Sequence, residues 1–164
     1  MIFWQFLSIF GDIQFWVGAA ITSLIFFFAI PKKSKKHVSW FIFLTLPTVL
    51  IAYSISYGLK LIFKTARPCI GLFGCPITYS FPSGHAAVAF AAMTALALFY
   101  KNKKLTVIFI VFSGLVSLSR LFLNFHRVED IIVGALIGII IGVFTEIVYE
   151  SHQKEITGII TKIK

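Results

Sequence analysis

This sequence has little charge. Asp, Glu, Lys and Arg make up 13% of its 164 residues, hydrophobic residues 59%, and the mean hydropathy is +0.95. A soluble domain of this length does not hide so much apolar surface, which points instead to an integral membrane protein. Cysteine is nearly missing too. The two present, Cys69 and Cys75 in "CIGLFGC", have the wrong spacing for a CxxC metal or redox site, and no further thiol exists to complete one. No P-loop and no glycine-rich dinucleotide turn occurs. The start, "MIFWQFLSIFGD", has no basic n-region, and no small-residue cleavage site follows the first apolar run, so no cleavable signal peptide is expected.

What is there is apolar and periodic enough to read as helices. A span of about 30 Å of hydrocarbon needs about 20 apolar residues. Five runs qualify, at about 15–30, 40–62, 84–100, 105–121 and 129–149. The fold class is therefore all-α, an integral membrane bundle of about five transmembrane helices in one domain over 1–164. Ahead of them "MIFWQFLSIF" is too short to span and reads as an interfacial helix. After them "SHQKEITGIITKIK" is a mildly basic amphipathic tail.

The net charge of +9 invites a nucleic-acid partner, but lysine placement gives a membrane reading instead. Lys32, Lys33, Lys35 and Lys36 follow the first span, Lys101, Lys103 and Lys104 the third, and Lys154, Lys162 and Lys164 the fifth. With five spans these segments share one side, so that side, with the C-terminus, is cytoplasmic. The 62–83 and 122–128 loops then face outward. An extracytoplasmic compartment permits a disulfide between Cys69 and Cys75. Lys60, Lys64, Arg67, Arg120 and Arg127 lie on the outward side against the trend, and near-membrane charges there call for a function.

Three polar clusters sit at the outer ends of spans two to five: "KLIFKTARP", "PSGH" and "SRLFLNFHRVED". His126 and Asp130 are four apart and share a helix face, so the carboxylate can hold one imidazole N–H and leave the other nitrogen as nucleophile or base. Lys60, Arg67 and Arg120 supply three cations, two of them planar forks that suit phosphate oxygens. Pro82-Ser83-Gly84-His85 opens the third span, where backbone N–H groups favour an anion, Gly84 permits close approach and Ser83 can cap the helix. His85 then stands as a proton donor. Taken singly, Ser83 is most simply an N-cap and each Lys or Arg an interface anchor. Taken together, the three clusters on one face form an oxyanion cradle with two histidines, suited to phosphoryl transfer. No Asp/Glu pair is left to hold a metal, so no metal and no cofactor is expected. Lys64, Arg127 and Glu129 read as solvated or interfacial.

The pattern K-x6-RP, PSGH, SR-x5-H-x3-D resembles the three-part signature of the type 2 phosphatidic acid phosphatase superfamily, the lipid phosphate phosphatases related to vanadium-dependent haloperoxidases. Every fixed position is met between Lys60 and Asp130. The resemblance implies a helical bundle and metal-independent phosphate ester hydrolysis. By it, His126 attacks phosphorus to form a phosphohistidine, Asp130 orients it, and His85 protonates the leaving oxygen. Lys60, Arg67, Ser83, Gly84 and Arg120 hold the phosphate. Membrane members commonly have six spans, one more than counted here.

The expected substrate is a bilayer lipid with a phosphate headgroup, with no nucleic-acid partner. The expected location is a bacterial inner membrane with the site facing the periplasm. Lipid A 1-phosphate and undecaprenyl diphosphate are favoured over phosphatidylglycerol phosphate. Competing classes are vanadate-dependent halide oxidation, phosphoryl transfer to a second lipid, and lipid binding without catalysis. Intact His85, His126 and Asp130 argue against the last, since binding needs only the cations.

Overall fold

The computed structural model describes residues 1–27 and 41–162, with side chains described for 1–25 and 42–152. The lysine cluster at 32–36, and the side chains of Lys154, Lys162 and Lys164, lie outside the described residues. The described residues form six α-helices: α1 (Ile2–Ile9), α2 (Ile13–Phe27), α3 (Leu46–Phe63), α4 (Gly84–Tyr100), α5 (Lys103–Phe122) and α6 (Val128–Lys162). A π-helical turn, Phe41–Thr45, leads into α3. It is an all-helical membrane bundle. Among the described residues three helical segments are long and apolar enough to cross a bilayer, Ile42–Phe63, Lys103–Phe122 and Val128–His152. The α1–α2 pair, bent by 53° at its break, makes a fourth when counted as one span.

Helix α4 is shorter than α3, α5 and α6. Its 17 residues extend about 25 Å at 1.5 Å per residue, less than the hydrocarbon thickness. It is enclosed by its neighbours, and Ala86, Ala87, Ala89, Ala91, Ala92 and Ala95 are all buried. Small side chains let backbones meet, which is how helices associate where lipid removes the hydrophobic drive. The facing helix α6 supplies Gly134, Gly138 and Gly142, one per turn. A Cβ at Gly134 would stand 2.4 Å from the Ser83 carbonyl oxygen, and one at Gly138 2.4 Å from the Ala87 oxygen. These contacts seat the start of α6 against the start of α4, and the Ser83 N–H donates to the Asp130 carbonyl at 2.9 Å.

Hydrogen bonds between helices add to this packing. Thr48 and Thr145 share one at 2.7 Å between α3 and α6, and Ser113 Oγ donates to the Ala89 carbonyl at 3.3 Å between α5 and α4. Trp16, Val49, Val88 and Ala92 form an apolar cluster that binds α2, α3 and α4. The short N-terminal helix packs on α5: Trp4 stacks on Phe122 with ring centroids 4.1 Å apart, and Phe10 meets Phe112 edge-on at 5.2 Å. The basic tail continues α6 rather than forming a separate element.

Helix ends follow local chemistry. Lys64 and Lys101 terminate α3 and α4 in left-handed conformations, with N–H groups bonded to the Lys60 and Ala97 carbonyls. Asn102 caps α5 by accepting from the Lys104 and Leu105 N–H groups. A disulfide joins Cys69 to Cys75 in the loop between α3 and α4, and that loop exposes Ile70, Leu72, Phe73 and Ile77.

Candidate active site

The C-terminal ends of α3 and α5 and the N-terminal ends of α4 and α6 meet at one end of the bundle. A cavity of about 340 Å³ opens there, lined in part by Lys60, Arg67, Gly84, His85, Arg120 and His126. Six of the eight residues that the sequence marks for catalysis and phosphate binding therefore face one space. The other two stand behind it. Ser83 is fully buried, and its hydroxyl accepts from the Ala86 N–H at 3.4 Å as the cap of α4. Asp130 is fully buried behind His126.

The His126–Asp130 pair sits at the start of α6. His126 Nδ1 is 3.2 Å from Asp130 Oδ2, and the same oxygen accepts from the Arg127 N–H at 2.9 Å and from the Ser80 hydroxyl. On its other side His126 Nε2 lies 3.1 Å from Arg67 Nη1. A guanidinium only donates, so Nε2 is the acceptor and Nδ1 carries the proton given to Asp130. Burial drives the imidazole down to about 4; the Asp130 hydrogen bond opposes this, while Arg67, Lys60 and Arg120 add to it. The ring is therefore neutral at physiological pH, with its lone pair on Nε2 pointing at a cation.

The cations are held from behind by neutral groups. Arg67 Nε donates to the Thr78 carbonyl at 2.7 Å, Nη2 to the Thr78 hydroxyl at 2.9 Å, and Nη1 to the Phe125 carbonyl at 2.9 Å. One guanidinium thus straps the loop before "PSGH" to the loop that carries His126. Lys60 Nζ donates to the Tyr79 and Ser80 carbonyls at 2.7 and 2.8 Å. Two of its three protons are used, which leaves one for a substrate oxygen. Arg120 donates to the Ser8 hydroxyl and lies 4.7 Å from the Phe125 ring centroid. Its Nε is buried without a hydrogen-bond partner. An anion's oxygen would satisfy such a donor, and leaving it unmade costs about 1–3 kcal/mol. A Cβ placed at Gly84 meets nothing within 4 Å, so this residue borders open space at the start of α4. Among the described residues no three His, Cys, Asp or Glu side chains converge as a metal site requires.

Residues 41–154 match the family model of the PAP2 superfamily. The chain belongs to the PAP2 superfamily. The matched stretch holds the π-helical turn, helices α3 to α5 and most of α6, and with them every signature residue. An undecaprenyl-diphosphatase of Sulfolobus acidocaldarius is 29% identical over 161 residues, covering 97% of this chain and 72% of that protein. A solved PAP2-type phosphatidylglycerolphosphate phosphatase from Bacillus subtilis shares the fold, with a TM-score of 0.74 at 20% identity over 90% of this chain and 75% of that one. Aquifex aeolicus LpxE aligns with a TM-score of 0.61 at 26% identity over 88% and 83%.

The sequence reading missed several residues that this PAP2 site uses. Ser80 completes the shell of Asp130, and Thr78 holds Arg67. Asp12, at the α1–α2 break, places Oδ1 2.9 Å from His85 Nε2, and Gly11 and Asp12 line the cavity. The available signal was a lone acidic residue in an apolar stretch, since Asp12 is the one charged side chain before Lys32.

Proposed function

We propose that this PAP2-type membrane lipid phosphatase cleaves a lipid phosphate by covalent catalysis at His126, without a metal, on the outward face of the plasma membrane. The observation that carries this reading is His126 itself: neutral, proton-anchored on Asp130, with Nε2 directed into a cavity lined by Lys60, Arg67 and Arg120. A phosphate oxygen entering there would draw the guanidinium protons to itself and free the Nε2 lone pair to attack phosphorus. The three cations and the N–H groups opening α4 would stabilise charge on the equatorial oxygens. His85 would protonate the departing oxygen and then accept a proton from the water that releases phosphate.

Among substrates, a polyprenyl diphosphate such as undecaprenyl diphosphate stands first. Three cations exceed the charge of a monoester, and the relative of that activity spans nearly the whole chain. Lipid A 1-phosphate and phosphatidylglycerol phosphate follow. The exposed lysines Lys101, Lys103 and Lys104 at the opposite end of the bundle support an outward-facing site.

The test is phosphate release from a panel of lipid phosphates and diphosphates by purified protein in detergent with EDTA, beside His126→Ala. Release that resists EDTA and disappears in the variant supports the metal-free histidine mechanism, and the rate order ranks the substrates. Release that EDTA abolishes and magnesium restores contradicts it.

A further inference from the structure

The N-terminal helix pair reaches into the site at one point. Helix α1 ends at Ile9, and its last turn is closed by the Gly11 N–H on the Ser8 carbonyl at 2.9 Å and the Asp12 N–H on the Ile9 carbonyl at 3.0 Å. Trp16 Nε1 donates to the Phe10 carbonyl at 3.0 Å and fixes the break from the α2 side. Three groups of this segment meet the catalytic end. Ser8 accepts from Arg120. Gly11 lies flat against His85, so that a Cβ there would stand 2.8 Å from the His85 Cβ and Cδ2. Asp12 Oδ1 takes His85 Nε2 at 2.9 Å.

We propose that Asp12 is the positioning residue of His85, holding its imidazole by the Nε2–H and balancing the positive charge it must carry. This rests on the reading of His85 as proton donor given above. The electrostatic need is plain. Lys60, Arg67 and Arg120 share the cavity with His85, and all three oppose an imidazolium. Asp130 is committed to His126, Ser80 and Arg127, and the carboxylate in contact with His85 is Asp12. Asp12 is therefore to His85 what Asp130 is to His126, and the site holds two carboxylate–histidine pairs brought from opposite ends of the sequence.

With Nε2–H engaged by Asp12, the proton in flight is the one on Nδ1. In the first half-reaction the His126 Nε2 lone pair forms the N–P bond, the P–O bond to the leaving group breaks, and His85 Nδ1 gives its proton to that oxygen. In the second, water attacks phosphorus, the N–P bond breaks, and the water proton returns to His85 Nδ1. The demand for that proton grows with the basicity of the leaving oxygen.

Leaving-group dependence is what separates positioning from a merely structural role. The probes are p-nitrophenyl phosphate, whose leaving oxygen needs little protonation, and octyl phosphate, whose alkoxide needs it. General acid catalysis supplies about 10²–10⁴-fold, and losing the orienting partner forfeits part of it, so Asp12→Asn should lower the ratio of alkyl to aryl kcat/KM, which reports the leaving-group step, by about 10–100-fold. His85→Ala should lower the same ratio by at least as much. Adding Asp12→Asn to His85→Ala should change it no further, because both act on one proton. Asp12→Glu, which keeps the carboxylate, should recover part of the loss. An unchanged ratio in Asp12→Asn, with the His85→Ala ratio reduced, overturns the role of Asp12 alone. An unchanged ratio in His85→Ala overturns the proton-donor reading and this proposal with it. Equal loss on both probes in Asp12→Asn, with vanadate inhibition weakened alike, means that Asp12 only props the fold, and also overturns the proposal.

Discussion

Arg67→Lys keeps a positive charge and removes a shape. The native guanidinium spans the Thr78 carbonyl and hydroxyl on one loop and the Phe125 carbonyl on another, and still faces His126 Nε2. An ammonium presents its donors from a single point and cannot reach Thr78 and Phe125 at once. Arg67 is buried, with 7% of its surface exposed, so the carbonyls it leaves behind gain little from water. Charged hydrogen bonds of this kind are worth about 1.5–3 kcal/mol each, so losing two costs about 3 kcal/mol at the low end. At about 1.4 kcal/mol per decade, kcat/KM should fall by about two orders of magnitude. The loss should appear in both constants, since the strap sets the distance from His126 to the phosphate cradle while the fork also binds the phosphate. Phosphate release from a short-chain lipid phosphate in detergent, with vanadate inhibition as a binding readout, measures both. A monodisperse Arg67→Lys protein within threefold of the wild type would refute the strap.

Asp130→Asn leaves the shape of the site and removes the anion that accepts the His126 Nδ1 proton; the activity should fall by about 10³–10⁴-fold, as expected where a histidine loses its orienting carboxylate, and kcat from steady-state phosphate release checks it. Ser80→Ala removes one of the three donors to that carboxylate and should cost only about tenfold, in line with one hydrogen bond to a charged group. The pH dependence has a definite sign. His126, held at about 4, is neutral and nucleophilic at every pH above that value, so its acid limb in kcat/KM should lie near pH 4, after correction for ionisation of the substrate. A limb for His126 near its ordinary 6.5 would contradict the buried, proton-anchored ring. Between those two values the unfolded imidazole binds a proton that the folded one refuses, so stability should also decline as pH falls through that window. Gly138→Val tests the central packing: its Cβ would meet the Ala87 oxygen at 2.4 Å and the Ala91 nitrogen at 2.8 Å, and forcing α4 and α6 apart should cost about 1–3 kcal/mol or more, read as a lowered Tm in detergent.

Much of the site is legible in the sequence because it is carried by helix ends. "PSGH" announces a helix N-terminus by its cap, and the His126–Asp130 spacing announces one helix face, so local rules place them without tertiary knowledge. The apolar runs place α3, α5 and α6 in the same way. What was not legible depends on contacts distant in sequence. Asp12 finds His85 some 70 residues away, and its isolation in an apolar stretch marks it without naming its partner. Ser80 and Thr78 look like ordinary loop residues until the loop folds back on Arg67 and Asp130. By contrast, the run at 84–100 is legible, and the helix forms at Gly84–Tyr100. The break at Gly11 and Asp12 falls between the short first segment and the first span, as read, but the packing of α1 on α5 follows from aromatic contacts distant in sequence.

Covalent catalysis at His126 requires an N–P bond there during turnover. Rapid acid-free quenching after mixing with a 32P-labelled lipid phosphate, followed by peptide mapping, measures it directly. A phosphohistidine leaves a label on the peptide bearing His126 that survives alkali, is lost in acid, and is missing from His126→Ala. Wild-type turnover in a folded His126→Ala protein would contradict it.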